Sequence, residues 1–139
     1  MRRLLLLALP LGLMACGSDN DTTPITVATL AGTWNLTTAN GAALPFTITT
    51  TPAKVELLSS SVVVLSTGAF TGTEQTRTTA GTGTPTTATL PIAGTISLSG
   101  TLVTVTITGS AAVSGTLISS SQFSFPDPTT GATFVFVKQ

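Results

Sequence analysis

The chain has 139 residues, of which 42% are hydrophobic and only 7% are charged, and its formal net charge is zero. This length and this apolar content suffice for one domain of ordinary size with its own hydrophobic core. The few basic residues form no basic face, which argues against a nucleic acid partner and against electrostatic docking on anionic lipid.

The chain begins with the features of a secretory leader. Two arginines follow Met1, and an apolar run of 11 residues extends from Leu4 to Met14. A bilayer core requires about 20 apolar residues in a helix, so this run is too short to be a stable span. We interpret residues 1–15 as a signal peptide that is removed.

The only cysteine, Cys16, stands directly after this leader. The stretch Leu13-Met14-Ala15-Cys16 resembles the lipobox of bacterial lipoproteins. The resemblance implies a thioether-linked diacylglycerol on Cys16, cleavage before it and acylation of its amine, and two or three acyl chains anchor a protein firmly to a membrane. A plain leader followed by an unrelated cysteine is the alternative. Gly17 and Ser18, by resemblance to enterobacterial sorting, favour the outer membrane of the bacterial cell envelope over the inner one.

Residues 16–24 are predicted to be the acylated cysteine and a polar tether. The sequence GSDNDTTP after Cys16 contains no apolar residue apart from its proline, as is typical of a solvated linker. Asp19 and Asp21 have the spacing of the first calcium ligands of an EF-hand loop. Pro24 stands where that loop needs glycine, however, so we predict no metal site.

Residues 25–139 are predicted to form an all-β domain. No window has helical apolar spacing, whereas alternation with period two recurs in the stretches 44–49, 90–98 and 102–108 and around Phe123 and Phe125. Short turn signals such as Asn40-Gly41 separate these stretches. The pattern favours an antiparallel up-and-down barrel of about eight strands, with a β-sandwich as the alternative. Residues 79–88 are predicted to be a mobile loop.

The stretch Gly32-Thr33-Trp34 and the later Asn40-Gly41 and Leu44-Pro45 pairs resemble the opening of small bacterial lipocalin-like lipoproteins. Ser66 to Thr71, Gly94 to Thr101 and Phe134 to Lys138 resemble their later strands, so the resemblance extends from Leu30 to Lys138. It implies a barrel whose closed end contains Trp34, covered by the basic side chain of Lys138. The alternative is that Trp34 is simply the largest core residue.

Enzymatic chemistry is difficult to assemble from the residues of this domain. The chain has no histidine and no tyrosine, and its one cysteine is assigned to lipidation. Among the domain's carboxylates, Glu56 shares a strand face with Lys54, Glu74 is expected to face solvent, and Asp127 is expected to cap a turn. We therefore predict no enzyme, no catalytic residues, no cofactor and no metal.

These observations lead to two hypotheses for function. In the first, the anchored barrel binds or carries a small hydrophobic molecule in the cell envelope, and the loops at 66–68 and 80–87 border its mouth. In the second, the barrel is filled by its own side chains and acts through its surface as a scaffold or inhibitor. The candidate pocket residues for the first hypothesis are Phe46, Ile48, Val103, Val105, Ile107, Phe123 and Phe125.

Overall fold

The computed structural model describes residues 24–139. They form ten β-strands and one short 3-10 helix, with the bounds η1 Val27–Leu30, β1 Gly32–Ala39, β2 Ala42–Ala43, β3 Phe46–Thr49, β4 Ala53–Val64, β5 Ala69–Ala80, β6 Thr86–Ser99, β7 Leu102–Ile107, β8 Val113–Ser119, β9 Gln122–Pro126 and β10 Thr133–Lys138. The predicted signal peptide, Cys16 and the predicted tether as far as Thr23 lie outside the described residues.

Eight of these strands close into an antiparallel barrel. From β4 to β10, each strand pairs with the next one along the chain, and β1 pairs with both β10 and β4, which closes the ring. The short strand β2 pairs with β1, and β3 pairs with β4, so both lie outside the closure. The predicted all-β up-and-down barrel is confirmed, and the alternative of a β-sandwich is wrong.

The barrel interior is apolar because the strands alternate between inward apolar and outward polar residues. In β7, Val103 and Val105 are buried while the intervening threonine is partly exposed, as the alternation predicts. The buried apolar residues of the described chain form one core, with members from η1 and from all eight barrel strands. Burying this surface is the main favourable contribution to the stability of the fold.

The two ends of the barrel differ, and we call them the closed end and the mouth. At the closed end, η1 packs beneath the strands, and its last residue, Leu30, is completely buried. The turns β4–β5, β6–β7 and β8–β9 lie at this end. The turns β5–β6, β7–β8 and β9–β10 lie at the mouth, as does the segment that carries β2 and β3.

Two loop predictions require correction. Half of residues 79–88 belong to strands: β5 continues to Ala80 and β6 begins at Thr86, so the connection between them is limited to residues 81–85. The turn at residues 66–68 does not border the mouth, because Thr67 lies beside Val27 of η1 at the closed end. Within residues 24–139, no helix has the length and apolar character that a membrane-spanning helix requires.

Candidate binding cavity

A column of aromatic side chains fills the barrel from the closed end towards the mouth. Its lowest member is Trp34, whose ring centroid lies 4.7 Å from that of Phe123. Phe123 stacks on Phe136 at 5.5 Å, and Phe136 stacks on Phe125 at 5.7 Å. Phe134 then packs edge-on against Phe125, with the ring centroids 6.3 Å apart. The closed half of the barrel is therefore packed by rings and is not hollow.

The base of the column is fixed by hydrogen bonds at the closed end. Trp34 is completely buried, and its indole Nε1 donates to the carbonyl of Leu30 over 2.7 Å. The Lys138 ammonium donates to the carbonyl of Thr29 over 2.8 Å and lies 5.9 Å from the Trp34 ring centroid. Trp34 and Lys138, which the resemblance assigns to the closed end, therefore both contact η1 and lie next to each other.

A small cavity of about 50 Å³ lies alongside the four phenylalanines of the aromatic column. Phenylalanines of β9 and β10 line one side of it, and Ile92, Val105 and Ile107 line the other. Ser60 and the carboxylates of Glu74 and Asp127 also line this cavity. The interior thus offers an apolar surface with a few polar groups towards one edge, which is the usual composition of a small-molecule site.

A second space of about 220 Å³ adjoins the first one on the side of the mouth. The two share Glu74, Ile92, Ile107, Asp127 and Phe134 in their linings. The outer space also touches Pro128 and Thr129, which are exposed to solvent. A molecule that entered at the mouth would therefore meet both carboxylates and Phe134 before it reached the deeper phenylalanines.

Asp127 holds the β9–β10 loop over the cavity. Its Oδ2 accepts hydrogen bonds from the backbone amides of Thr129 and Thr130, at 3.2 and 2.7 Å, and from the Thr130 hydroxyl at 2.7 Å. The turn-capping role predicted for Asp127 is confirmed. The cap fixes the position of this carboxylate in the cavity wall at the mouth.

Glu74 faces the barrel interior, whereas the sequence analysis expected it to face solvent. It pairs with Ser60 on β4 and with Leu90 on β6, on the inward side of β5. Partial burial raises the pKa of the Glu74 carboxyl above its usual range, and the negative charge of Asp127 raises it further. Within residues 24–139, its carboxylate has no hydrogen-bond or ion-pair partner shorter than 3.5 Å.

The candidate pocket residues fall into three groups. Val105, Ile107, Phe123 and Phe125 line the small cavity, and Ile48 lines the outer space. Phe46 packs edge-on against Phe134, with ring centroids 6.1 Å apart, and lines neither space. Val103 is completely buried in the core near the closed end.

Three residues that line the cavity, Ser60, Glu74 and Asp127, were not predicted to do so. The strand pairing makes the inward position of Glu74 apparent, because Gly72 and Phe70 precede it on the same face of β5. The sequence gives no comparable sign that Ser60 faces inward. An irregularity in β4 between Leu57 and Ser59 exchanges the inward and outward positions of the strand just before it.

The remaining charged side chains lie on the outer face. Glu56 forms ion pairs with Lys54 at 2.7 Å and Arg77 at 2.8 Å. These two cations lower the pKa of the Glu56 carboxyl, Lys54 having the larger effect. The two side chains cover Glu56, so its carboxylate is little exposed although it points away from the core. Lys54 and Arg77, the two cations of the mouth half within residues 24–139, thus pair with Glu56. No cation balances the charges of Glu74 and Asp127 in this part of the chain.

No family model, curated protein or solved structure matches this chain. The resemblance to lipocalin-like lipoproteins therefore remains a prediction from sequence motifs. Within residues 24–139, no three histidine, cysteine, aspartate or glutamate side chains form a group that could hold a metal ion. The cavity and its two carboxylates are thus the chemical features on which a functional proposal can be built.

Proposed function

We propose that this protein is a lipid-anchored, non-catalytic, lipocalin-like barrel that binds one small, mostly apolar molecule at its mouth. The observation that supports the proposal is the continuity of the two spaces, which lead from exposed residues of the β9–β10 loop down to the phenylalanine column. Volumes of about 50 and 220 Å³ correspond to a guest smaller than a typical drug molecule.

The cavity wall also constrains the polar end of the guest. Two carboxylates, Glu74 and Asp127, face the space near the mouth, and Lys54 and Arg77 are engaged by Glu56 on the outer face. An anionic headgroup would be repelled there, whereas an amine or a hydroxyl group would find hydrogen-bond acceptors. We therefore propose a guest with an apolar body and a neutral or cationic polar group.

The anchor in this proposal rests on the lipobox resemblance of the stretch ending at Cys16. Acylation there would hold the barrel on a membrane of the bacterial envelope, and the residues after Cys16 favour the outer membrane. The barrel then needs no anchoring helix of its own, because two or three acyl chains provide the membrane affinity.

Native mass spectrometry of the mature protein extracted from membranes tests both parts of this proposal. We expect the mass of a chain that begins at an acylated Cys16, together with an adduct of one small guest. Ile107 lines both spaces, so the larger ring of Ile107→Trp should fill them and prevent the guest from binding. The matched control Thr106→Trp places the same ring on the opposite face of β7 and should keep it. Retention of the guest by a folded Ile107→Trp variant would contradict binding in the cavity.

A second function is favoured by one observation, the small size of the inner space. A barrel that its own rings fill nearly completely could act through its outer surface as a scaffold or an inhibitor. In that case the extracted protein carries no guest, and Ile107→Trp, whose new ring lies inside the barrel, leaves its binding to a protein partner unchanged.

A further inference from the structure

The exposed aliphatic side chains of the barrel are concentrated at the closed end. Each of the three turns there has one within it or beside it: Leu65 is 56% exposed, Leu102, the first residue of β7, is 50% exposed, and Ile118, near the end of β8, is 54% exposed. Val63 and Ile25, also exposed, lie at the same end. Of the six large hydrophobic residues that are exposed within residues 24–139, only Leu90 lies in the mouth half.

The charged side chains have the opposite distribution. In the described part of the chain, the three carboxylates Glu56, Glu74 and Asp127 all lie in the mouth half. Among residues 24–139, the closed end carries no acidic side chain, and the one cation there, Lys138, donates to the carbonyl of Thr29. One end of the barrel therefore presents aliphatic groups without negative side chains, and the other end presents a net negative charge.

The chain also enters the barrel at the closed end. Ile25 lies beside Thr67 and Leu98 there, directly after the first described residue, Pro24. Eight covalent steps separate Cys16 from Pro24, and an extended chain spans no more than about 3.6 Å per residue, or about 30 Å in all. An acyl group on Cys16 would therefore be tethered to the closed end and would hold that end within about 30 Å of the membrane.

We propose that the closed end is a membrane-docking surface, in which Leu65, Leu102 and Ile118 enter the headgroup region of the bilayer while the mouth faces away from it. This inference rests on the proposed acylation of Cys16. Aliphatic side chains on neighbouring turns gain favourable burial in the interface, and carboxylates there would oppose it. Docking in this orientation keeps the cavity open to molecules in the aqueous phase.

Tryptophan substitutions and brominated lipids test the orientation. The acylated protein is extracted and reconstituted in phosphatidylcholine vesicles with bromine on the acyl chains near the headgroups. Leu102→Trp and Ile118→Trp each report on the closed end, and Leu90→Trp is the matched control, since Leu90 is 51% exposed at the mouth. The parent protein, whose one tryptophan is the buried Trp34, gives the background fluorescence and its quenching.

We expect quenching of the added tryptophan to be about twofold or more greater at positions 102 and 118 than at position 90, because interfacial groups lie about 5–10 Å into the bilayer. Circular dichroism identifies which variants fold, and either closed-end variant is sufficient. Equal quenching at all three positions, or greater quenching at position 90, would overturn the proposal.

Three further outcomes separate this proposal from its premise and from other partners. Mass spectrometry of the same samples shows whether Cys16 is acylated. A bare cysteine would overturn the anchor, whereas an acylated protein without quenching at 102 and 118 would overturn docking alone. A blue-shifted but unquenched tryptophan at those positions would indicate a second copy or another protein on this surface, and would also overturn membrane docking.

Discussion

Gly32 lies directly beneath the side chain of Lys138. A Cβ atom on Gly32 would stand 2.7 Å from Cε of the lysine, which is shorter than any ordinary carbon–carbon contact. The lysine crosses the glycine to reach the carbonyl of Thr29 and the face of Trp34. The glycine of the Gly32-Thr33-Trp34 motif thus leaves room for the side chain that covers the tryptophan.

Gly32→Ala should therefore destabilise the barrel in two ways. Gly32 has a φ of +139°, which an alanine rarely adopts, and the new methyl group would displace Lys138. We expect a loss of about 2–3 kcal/mol in the free energy of unfolding, measured in urea. The control is Gly41→Ala, where φ is +77° but nothing lies within 4 Å of the new methyl group. An equal loss for the two variants would show that the lysine contact contributes nothing.

Lys138→Met should weaken the closed end without creating a steric clash. The change removes the hydrogen bond to Thr29 and the cation near the Trp34 ring, and we expect a cost of about 1 kcal/mol. Lys138→Arg keeps a charged donor and should recover part of this loss. Thermal unfolding followed by circular dichroism measures both variants. If the Lys138→Met variant is as stable as the parent protein, the Lys138 ammonium has no role in stabilising the closed end.

Much of this architecture follows from the sequence because apolar and polar residues alternate in several strands. The alternation at Val103 and Val105 and at Phe123 and Phe125 correctly identifies the inward face, and the Asn40-Gly41 pair forms the predicted two-residue turn between β1 and β2. In these segments a shift of one residue would expose the whole apolar face, so the pattern fixes the register.

The long strands β4 and β5 and the first residues of β6 were harder to predict because threonine or serine occupies both of their faces. The threonines of residues 71–79 give no alternation, so the inward position of Glu74 depends on pairing with β4 and β6. The end of the β5–β6 hairpin likewise comes from backbone pairing, of residues 76–78 with residues 86–88, where alanine is the only apolar residue. The position of Glu74 in the cavity was missed for the same reason.

Glu56→Gln should reduce stability at neutral pH and make it less sensitive to acid. Hydrogen bonds from Lys54 and Arg77 lower the pKa of the Glu56 carboxyl below its usual 4.5 in the folded state. Its stabilising contribution is therefore present above pH 4.5 and is lost as the pH falls through the lowered value. Thermal midpoints at pH 7 and pH 3 should differ less in the variant than in the parent. Lys54→Gln, which removes one of the two partners, should give an intermediate result. The same pH dependence in parent and Glu56→Gln would contradict this account.

Glu74→Gln should have the opposite effect on the pH dependence. Burial in the cavity and the charge of Asp127 raise the pKa of the Glu74 carboxyl above 4.5, so the folded state holds this proton more tightly than the unfolded state does. The resulting stabilisation is complete below pH 4.5 and is lost as the pH rises through the raised value. Glutamine is neutral throughout, so the variant should match the parent at pH 3.

At pH 8, Glu74→Gln should exceed the parent in stability, by less than about 1 kcal/mol because water screens a carboxylate that is only half buried. Urea unfolding at the two pH values measures the difference. The control is Glu56→Gln, whose carboxylate is compensated by two cations and which should be less stable than the parent at pH 8. A Glu74→Gln variant that is also less stable at pH 8 would show that the ionised carboxylate has a favourable partner in the cavity, and would contradict an uncompensated charge at the mouth.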